Sequence, residues 1–271
     1  MGKNSSIEWT NHTFNPWWGC TKVSPACAHC YAEAWAKRVG SRVWGEDAPR
    51  RFFGDAHWRN PLRWNDEAER KGNRARVFCA SMADVFEERD ELAPHRSRLW
   101  ELIDKTPNLD WLLLTKRPHA IATMAPWGHD WPSHIWLGTT IENQRQASKR
   151  LPYLLNVPAK VRFISCEPLL GPIHISTDLK RGIHWVIAGG ESGANARPSH
   201  PDWFRSLRDQ CQATSVAFHF KQWGNWVPAE GGDERALSVR IKGKVASMTR
   251  TSKKDASRLL DHRQWDELPG A

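Results

Sequence analysis

Trp111-Leu112-Leu113-Leu114-Thr115-Lys116-Arg117-Pro118 is an apolar run that stops abruptly at a hydroxyl, two cations and a proline. A short apolar run closed by such a breaker reads as a buried strand. The same signature lies on both sides of it, in Val77–Ser81, Ile135–Thr140, Val161–Cys166, Trp185–Ala188 and Val216–Phe220. The strand centres, near Cys79, Leu113, Leu137, Phe163, Val186 and Phe218, are 34, 24, 26, 23 and 32 residues apart. That spacing suits parallel strands joined by crossover helices. Helix-like segments fill most of the gaps: Arg96–Lys105, His119–Ala125, Gln144–Leu155 and Asp202–Ala213, the last behind Pro201 at a helix start. A further short strand is expected at Thr13–Asn15, followed by a cysteine loop and a helix over Ala32–Val39.

The class is therefore α/β, and seven strands predict a (β/α) barrel, partial or full, with the cysteine loop after its first strand. A doubly wound sheet has the same repeat. The strand ends favour the barrel, because nearly all of them are polar: Ser81 with Asp84, Thr115 with Lys116 and Arg117, Thr139 and Thr140 with Glu142, then Glu167, Gly189-Gly190-Glu191 and Lys221-Gln222. A barrel brings all such ends to the one face where its active site is built, whereas an open sheet concentrates them at a switch point.

At 271 residues, with 40% hydrophobic and 25% charged residues, the chain is read as one folded domain, 1–271. Two regions are expected outside the repeat. The first is an insert over 40–76, with nine Lys/Arg, six acidic residues and five interleaved Trp and Phe. The second is an extension over 225–271, whose stretch from Arg240 to Arg258 has seven Lys/Arg against one acid. No run approaches the roughly 18 apolar residues of a membrane span. The polar start Met1–Ser6 lacks the pattern of a signal peptide, so a cytoplasmic protein with no membrane partner is expected. A net charge of +9 favours a polyanionic partner, nucleic acid first, and 17 Trp against two Tyr suggests rings available for base stacking.

Six cysteines in a chain of this kind are no disulfide framework, since three of them fall within eleven residues. Asn15-Pro16-Trp17-Trp18-Gly19-Cys20 is followed by Cys27-Ala28-His29-Cys30-Tyr31-Ala32, a Cys-x6-Cys-x2-Cys spacing. Three thiolates on one loop can hold three irons of a cubane cluster and leave the fourth open. Zinc is the other reading, with His12 or His29 as a nitrogen ligand. Cys79 and Cys166 sit in apolar runs, as buried inert thiols do.

At the cysteine loop the chain resembles the radical S-adenosylmethionine (radical SAM) superfamily. The likeness is strongest to its spore photoproduct lyase branch, whose loop also opens with Asn-Pro and Gly-Cys and closes with Cys-Tyr-Ala. The usual superfamily spacing is Cys-x3-Cys-x2-Cys. The longer spacing here is similar to that of a phage-associated three-Cys-motif family, and this likeness extends through Ser81-Met82-Ala83-Asp84, Leu114 to Pro118, Trp136 to Asn143, Cys166 to Leu169, Gly189 to Gly193 and Lys221 to Gly224.

The resemblance implies a [4Fe-4S] cluster on Cys20, Cys27 and Cys30, these three being the catalytic and metal-binding residues, with SAM on the unique iron. It implies that His29 contacts adenine, that Lys116 pairs with the SAM carboxylate, and that Ser81, Asp84, Thr139 and Thr140 receive amino or ribose groups. Gly189, Gly190 and Glu191 are similar to the superfamily's glycine-rich SAM motif. An electron donor such as flavodoxin or ferredoxin would be a partner, and nucleic acid, DNA first, the substrate. Isomerisation, lyase-type cleavage, repair or base hypermodification of phage DNA are the reactions expected, in the host cytoplasm if the gene is phage-borne. Modification of a peptide or small metabolite stays open beside this. So does a nonenzymatic iron–sulfur or zinc module that binds nucleic acid.

Overall fold

The computed structural model describes residues 5–229, 236–241, 244–252 and 256–270. Its main sheet has seven strands in chain order: β1 (His12–Thr13), β2 (Ala75–Cys79), β3 (Leu109–Thr115), β4 (Ile135–Thr140), β5 (Val161–Cys166), β6 (Trp185–Gly189) and β7 (Ala217–Gln222). The chain divides into two compact units. The first is Met1–Ser24, Ala32–Thr139 and Asn156–Arg162; the second is Pro25–Tyr31, Thr140–Leu155 and Phe163–Ala271.

In the first unit β1 to β4 run parallel, with Val77 opposite both His12 and Trp111 and Leu113 opposite Leu137. Val77, Leu109, Trp111, Leu112, Leu113 and Leu137 are all completely buried. Burial on both faces explains why these strands read as unbroken apolar runs. Trp111 meets the polar demand of its indole by donating to Thr106 Oγ1 at 3.0 Å. The crossover from β1 to β2 contains the helix Asn60–Lys71, which starts with Pro61 in its first turn and ends at Gly72 with φ of 64°. The expected insert thus supplies a helix of the repeat. Its buried face, Pro61, Trp64, Asn65 and Ala68, has helical spacing, but a charge-rich outer face obscures the period. Residue 72 needs glycine because it closes the helix in the left-handed region.

In the second unit β5, β6 and β7 are parallel, with Phe163 opposite Trp185 and Val186 opposite Phe218. The helix Gln144–Leu155 buries Ala147, Arg150, Leu151 and Leu154. The helix Pro201–Ala213 is capped by His200, whose Nδ1 accepts the Asp202 amide at 3.1 Å. In the C-terminal region, Trp226–Pro228, Lys244–Arg250 and Leu237–Ile241 form a three-stranded antiparallel sheet. Segment 265–267 lies along β7: Phe220 donates to the Trp265 carbonyl at 2.9 Å and Glu267 to that of Phe218 at 3.3 Å. Among the described residues no helix is long and apolar enough to cross a membrane.

Candidate functional site

After β1 the chain turns at Asn15, whose Oδ1 accepts the Met82 amide at 2.7 Å and whose Nδ2 donates to Ser81 Oγ at 3.1 Å. Trp17–Trp18 then pairs antiparallel with Arg51–Phe52. Gly19 follows with φ of 117°, and a Cβ there would stand 2.3 Å from the Val43 carbonyl oxygen. Only glycine fits, and Cys20 is thereby delivered half-buried beside the end of β3.

Around Cys20 the first unit builds a charged cluster. Asp84 is its hub, accepting from Thr115 Oγ1 at 2.7 Å, the Lys116 amide at 3.0 Å, Arg117 Nη1 at 3.1 Å and the Phe86 amide at 3.1 Å. Arg117 also donates to Cys20 Sγ at 3.6 Å and to the Thr21 carbonyl at 2.9 Å. Burial, then the Asp84 charge, push the Cys20 thiol up to about 12, against the opposing pull of Arg117. Burial disfavours the Arg117 cation, yet Asp84 and Cys20 outweigh it and hold its pKa above the ordinary value. Glu87 accepts the Thr21 amide at 2.9 Å and both Arg50 Nη2 (2.7 Å) and Nε (3.1 Å). Arg50 in turn satisfies the carbonyls of Val43, Gly45 and Ala48. Thr139 donates to the Thr115 carbonyl at 2.9 Å, and Lys116 is half-buried at the end of β3.

The second unit holds half-buried Cys27 and Cys30. The Ala26 amide donates to Glu142 Oε1 at 3.1 Å. Arg150 donates to Glu142 Oε2 at 2.9 Å and to the Thr140 carbonyl at 2.8 Å. His29 Nδ1 lies 3.1 Å from Glu191 Oε2, and Arg197 embraces both Glu191 oxygens while reaching the Pro25 carbonyl at 3.0 Å. Burial raises the Glu191 pKa, but the Arg197 hydrogen bonds prevail and hold the carboxylate below its usual range. Glu167 pairs with Lys221 at 2.9 Å. Gln222 Oε1, buried at the end of β7, has no hydrogen-bond partner among the described residues. At Gly190 it is the chain's own backbone that comes close, since a Cβ there would stand 1.8 Å from the Trp223 carbonyl oxygen.

The other three cysteines differ in exposure. Cys79, Cys166 and Cys211 are fully buried, and desolvation pushes each thiol well above its ordinary pKa. Accessible thiols are thus confined to the loop, and an N–H donor already faces the Cys20 sulfur, so the donor chemistry fits an iron–sulfur cluster. Among the described residues no three His, Cys, Asp or Glu side chains are gathered into one metal-binding group. Ligation would therefore be coupled to rearrangement of the loop side chains.

Arg50, Glu87, Arg150 and Arg197 are the site residues that sequence reading did not single out. For Arg150 a signal exists: it falls on the same helix face as Ala147, Leu151 and Leu154. Arg50 offers none, being one cation among nine in its segment.

Parallel strands ending in buried polar groups in each unit define an α/β protein compatible with a partial (β/α) barrel. A family model described as "Protein of unknown function (DUF5131)" matches residues 4–269, and the chain belongs to that family. No curated protein and no solved structure matches it.

Proposed function

We propose that the chain is a radical SAM enzyme acting on nucleic acid. The observation that carries this reading is the sorting of its thiols: three half-buried on an eleven-residue loop after β1, three sealed in the core. A [4Fe-4S] cluster held by Cys20, Cys27 and Cys30 would supply the electron that cleaves the SAM sulfonium to an adenosyl radical, which takes hydrogen from the substrate. Arg117 donates to the Cys20 sulfur and orders the loop through Thr21. Asp84, saturated by its donors, serves by holding Arg117 and the turn at Lys116. Lys116 is assigned to the SAM carboxylate, and Ser81, Thr139 and Thr140 to its amino and ribose groups. Glu191 orients His29 toward adenine, and Gln222 Oε1 is an acceptor left for a ligand donor.

Anaerobically reconstituted chain with SAM and dithionite should release 5′-deoxyadenosine, and a fully loaded cluster that leaves SAM intact would refute the proposal. Lys116→Ala should weaken SAM binding roughly ten- to hundredfold, the worth of one charge-assisted hydrogen bond of about 1.5–3 kcal/mol, without changing iron content.

The substrate class rests on the net charge of +9 and on the first unit's ribbon. Arg51 lies 4.7 Å over the Trp18 ring and 5.6 Å from that of Phe53. Phe52, 39% exposed, stacks on His95 at 3.9 Å with 7° between planes. Arg38, Arg42, Arg59 and Arg63 are exposed on the same unit. Aromatic faces interleaved with guanidinium groups hold single strands without regard to sequence. The basic stretch from Arg240 to Arg258 is less available, because Arg258 is engaged by Asp266 and the Lys221 carbonyl and Arg250 by that of Ala194. Lys253 and Lys254 lie outside the described residues.

Phe52→Ala should cost single-stranded DNA binding about 1–3 kcal/mol. Arg42→Ala should flatten its log–log salt dependence by about 0.7. If the wild type binds neither DNA nor RNA at low salt, the substrate becomes a peptide or small metabolite.

A further inference from the structure

All three loop cysteines share a feature that neither their spacing nor the cluster assignment requires. Each is the chain neighbour of a residue held by the carboxylate of a Glu–Arg pair. Beside Cys20, the Thr21 amide donates to Glu87 Oε1, and Arg50 grips the same carboxylate twice. Beside Cys27, the Ala26 amide donates to Glu142 Oε1, and Arg150 takes the other oxygen. Beside Cys30, His29 Nδ1 meets Glu191 Oε2, and Arg197 holds both oxygens as well as the Pro25 carbonyl. The first clamp belongs to the first unit and the other two to the second.

The carboxylates are almost completely buried, with side-chain exposures of 3%, 0% and 4% for Glu87, Glu142 and Glu191. Apolar residues of similar volume would fill these places with no desolvation penalty. What they could not do is accept the loop's N–H groups. In each pair a carboxylate oxygen that meets the loop is fixed by its arginine or lies beside the one that is, and the arginine is itself anchored on backbone carbonyls: Arg50 on those of Val43, Gly45 and Ala48, Arg150 on that of Thr140, Arg197 on that of Pro25.

We infer that Glu87, Glu142 and Glu191 are positioning residues, each fixing the chain beside its own cysteine before any metal arrives. The inference rests on the reading that these thiols bind a cluster. Partners that orient metal ligands in this way are typically worth ten- to hundredfold in metal affinity.

The test uses the full chain, metal-free, with Glu87→Gln, Glu142→Gln and Glu191→Gln, each nearly isosteric with the wild type. Two quantities are read: amide hydrogen exchange over residues 20–31, and affinity for Co²⁺ alone, followed by its thiolate charge-transfer absorption. Glu87→Gln and Glu142→Gln should speed exchange of the Thr21 and Ala26 amides, and all three variants should weaken Co²⁺ binding about ten- to hundredfold, while protection of β2, β3 and β6 stays as in the wild type. A general loss of protection in those strands would mean that the carboxylates serve the fold alone, and the inference would fall. It would also fall if Thr21 and Ala26 exchanged in the wild type at the rate of free peptide, whatever the variants did. A wild type that keeps these amides protected but takes up no iron on reconstitution would uphold the clamps and overturn the cluster reading.

Discussion

Anaerobic reconstitution with iron and sulfide should give about four irons and four labile sulfides per chain, and Ala in place of Cys20, Cys27 or Cys30 should remove most of both. Cys79→Ala, Cys166→Ala and Cys211→Ala should retain the full complement in whatever fraction folds. The contrast follows from the burial of the two sets: the loop thiols are half-buried, while the other three are walled in by apolar strands and a helix. A metal ion should reach the first set without unfolding the protein, whereas the second lies behind closed apolar packing; exposure and not thiol pKa separates the two sets, since burial pushes the Cys20 thiol up as well. Elemental analysis with a sulfide assay decides it. One zinc per chain and no sulfide would replace the enzyme with a zinc module.

Glu87→Ala should cost about 3–5 kcal/mol of stability, because it strands a guanidinium whose side chain is 0% exposed. Arg117, with one nitrogen 3.8 Å from Glu87, would lose a second source of compensation while keeping Asp84. Chemical denaturation of the metal-free chain is the measurement. A loss below about 1 kcal/mol would mean that the carbonyls of Val43, Gly45 and Ala48 suffice to keep the Arg50 charge solvated. Removing Arg50 and Glu87 together should restore only part of the loss, since those three carbonyls would then lack their donor.

The βα repeat was legible because parallel strands buried on both faces leave uninterrupted apolar runs. Ile135–Thr140, Val161–Cys166 and Gln144–Leu155 have the very bounds read from the sequence. Where one face is charged the period is hidden, and the helix Asn60–Lys71 disappeared into an insert. The expected first strand, Thr13–Asn15, ends sooner, at Thr13, because Asn15 leaves the ladder to serve Ser81 and Met82.

In the candidate site, the clustered thiols and the polar strand ends were readable as local signals. The pair of Arg50 with Glu87 was not, since 37 residues separate them and nothing local announces their meeting. Nothing in the sequence shows that the neighbour which forbids a side chain at Gly190 is the Trp223 carbonyl.

The backbone run from Trp265 to Glu267 along the outer side of β7 bears on assembly. An uncovered terminal strand offers a row of amides and carbonyls on which another chain can grow, and proteins commonly blunt it with charge, proline or a covering segment. Here the covering is intramolecular, fastened by the Trp265 carbonyl and by the Glu267 carboxylate, which accepts the Phe218 amide at 2.9 Å. Strand addition at β7 by a second copy would first have to peel this segment away, so self-association through that edge is disfavoured.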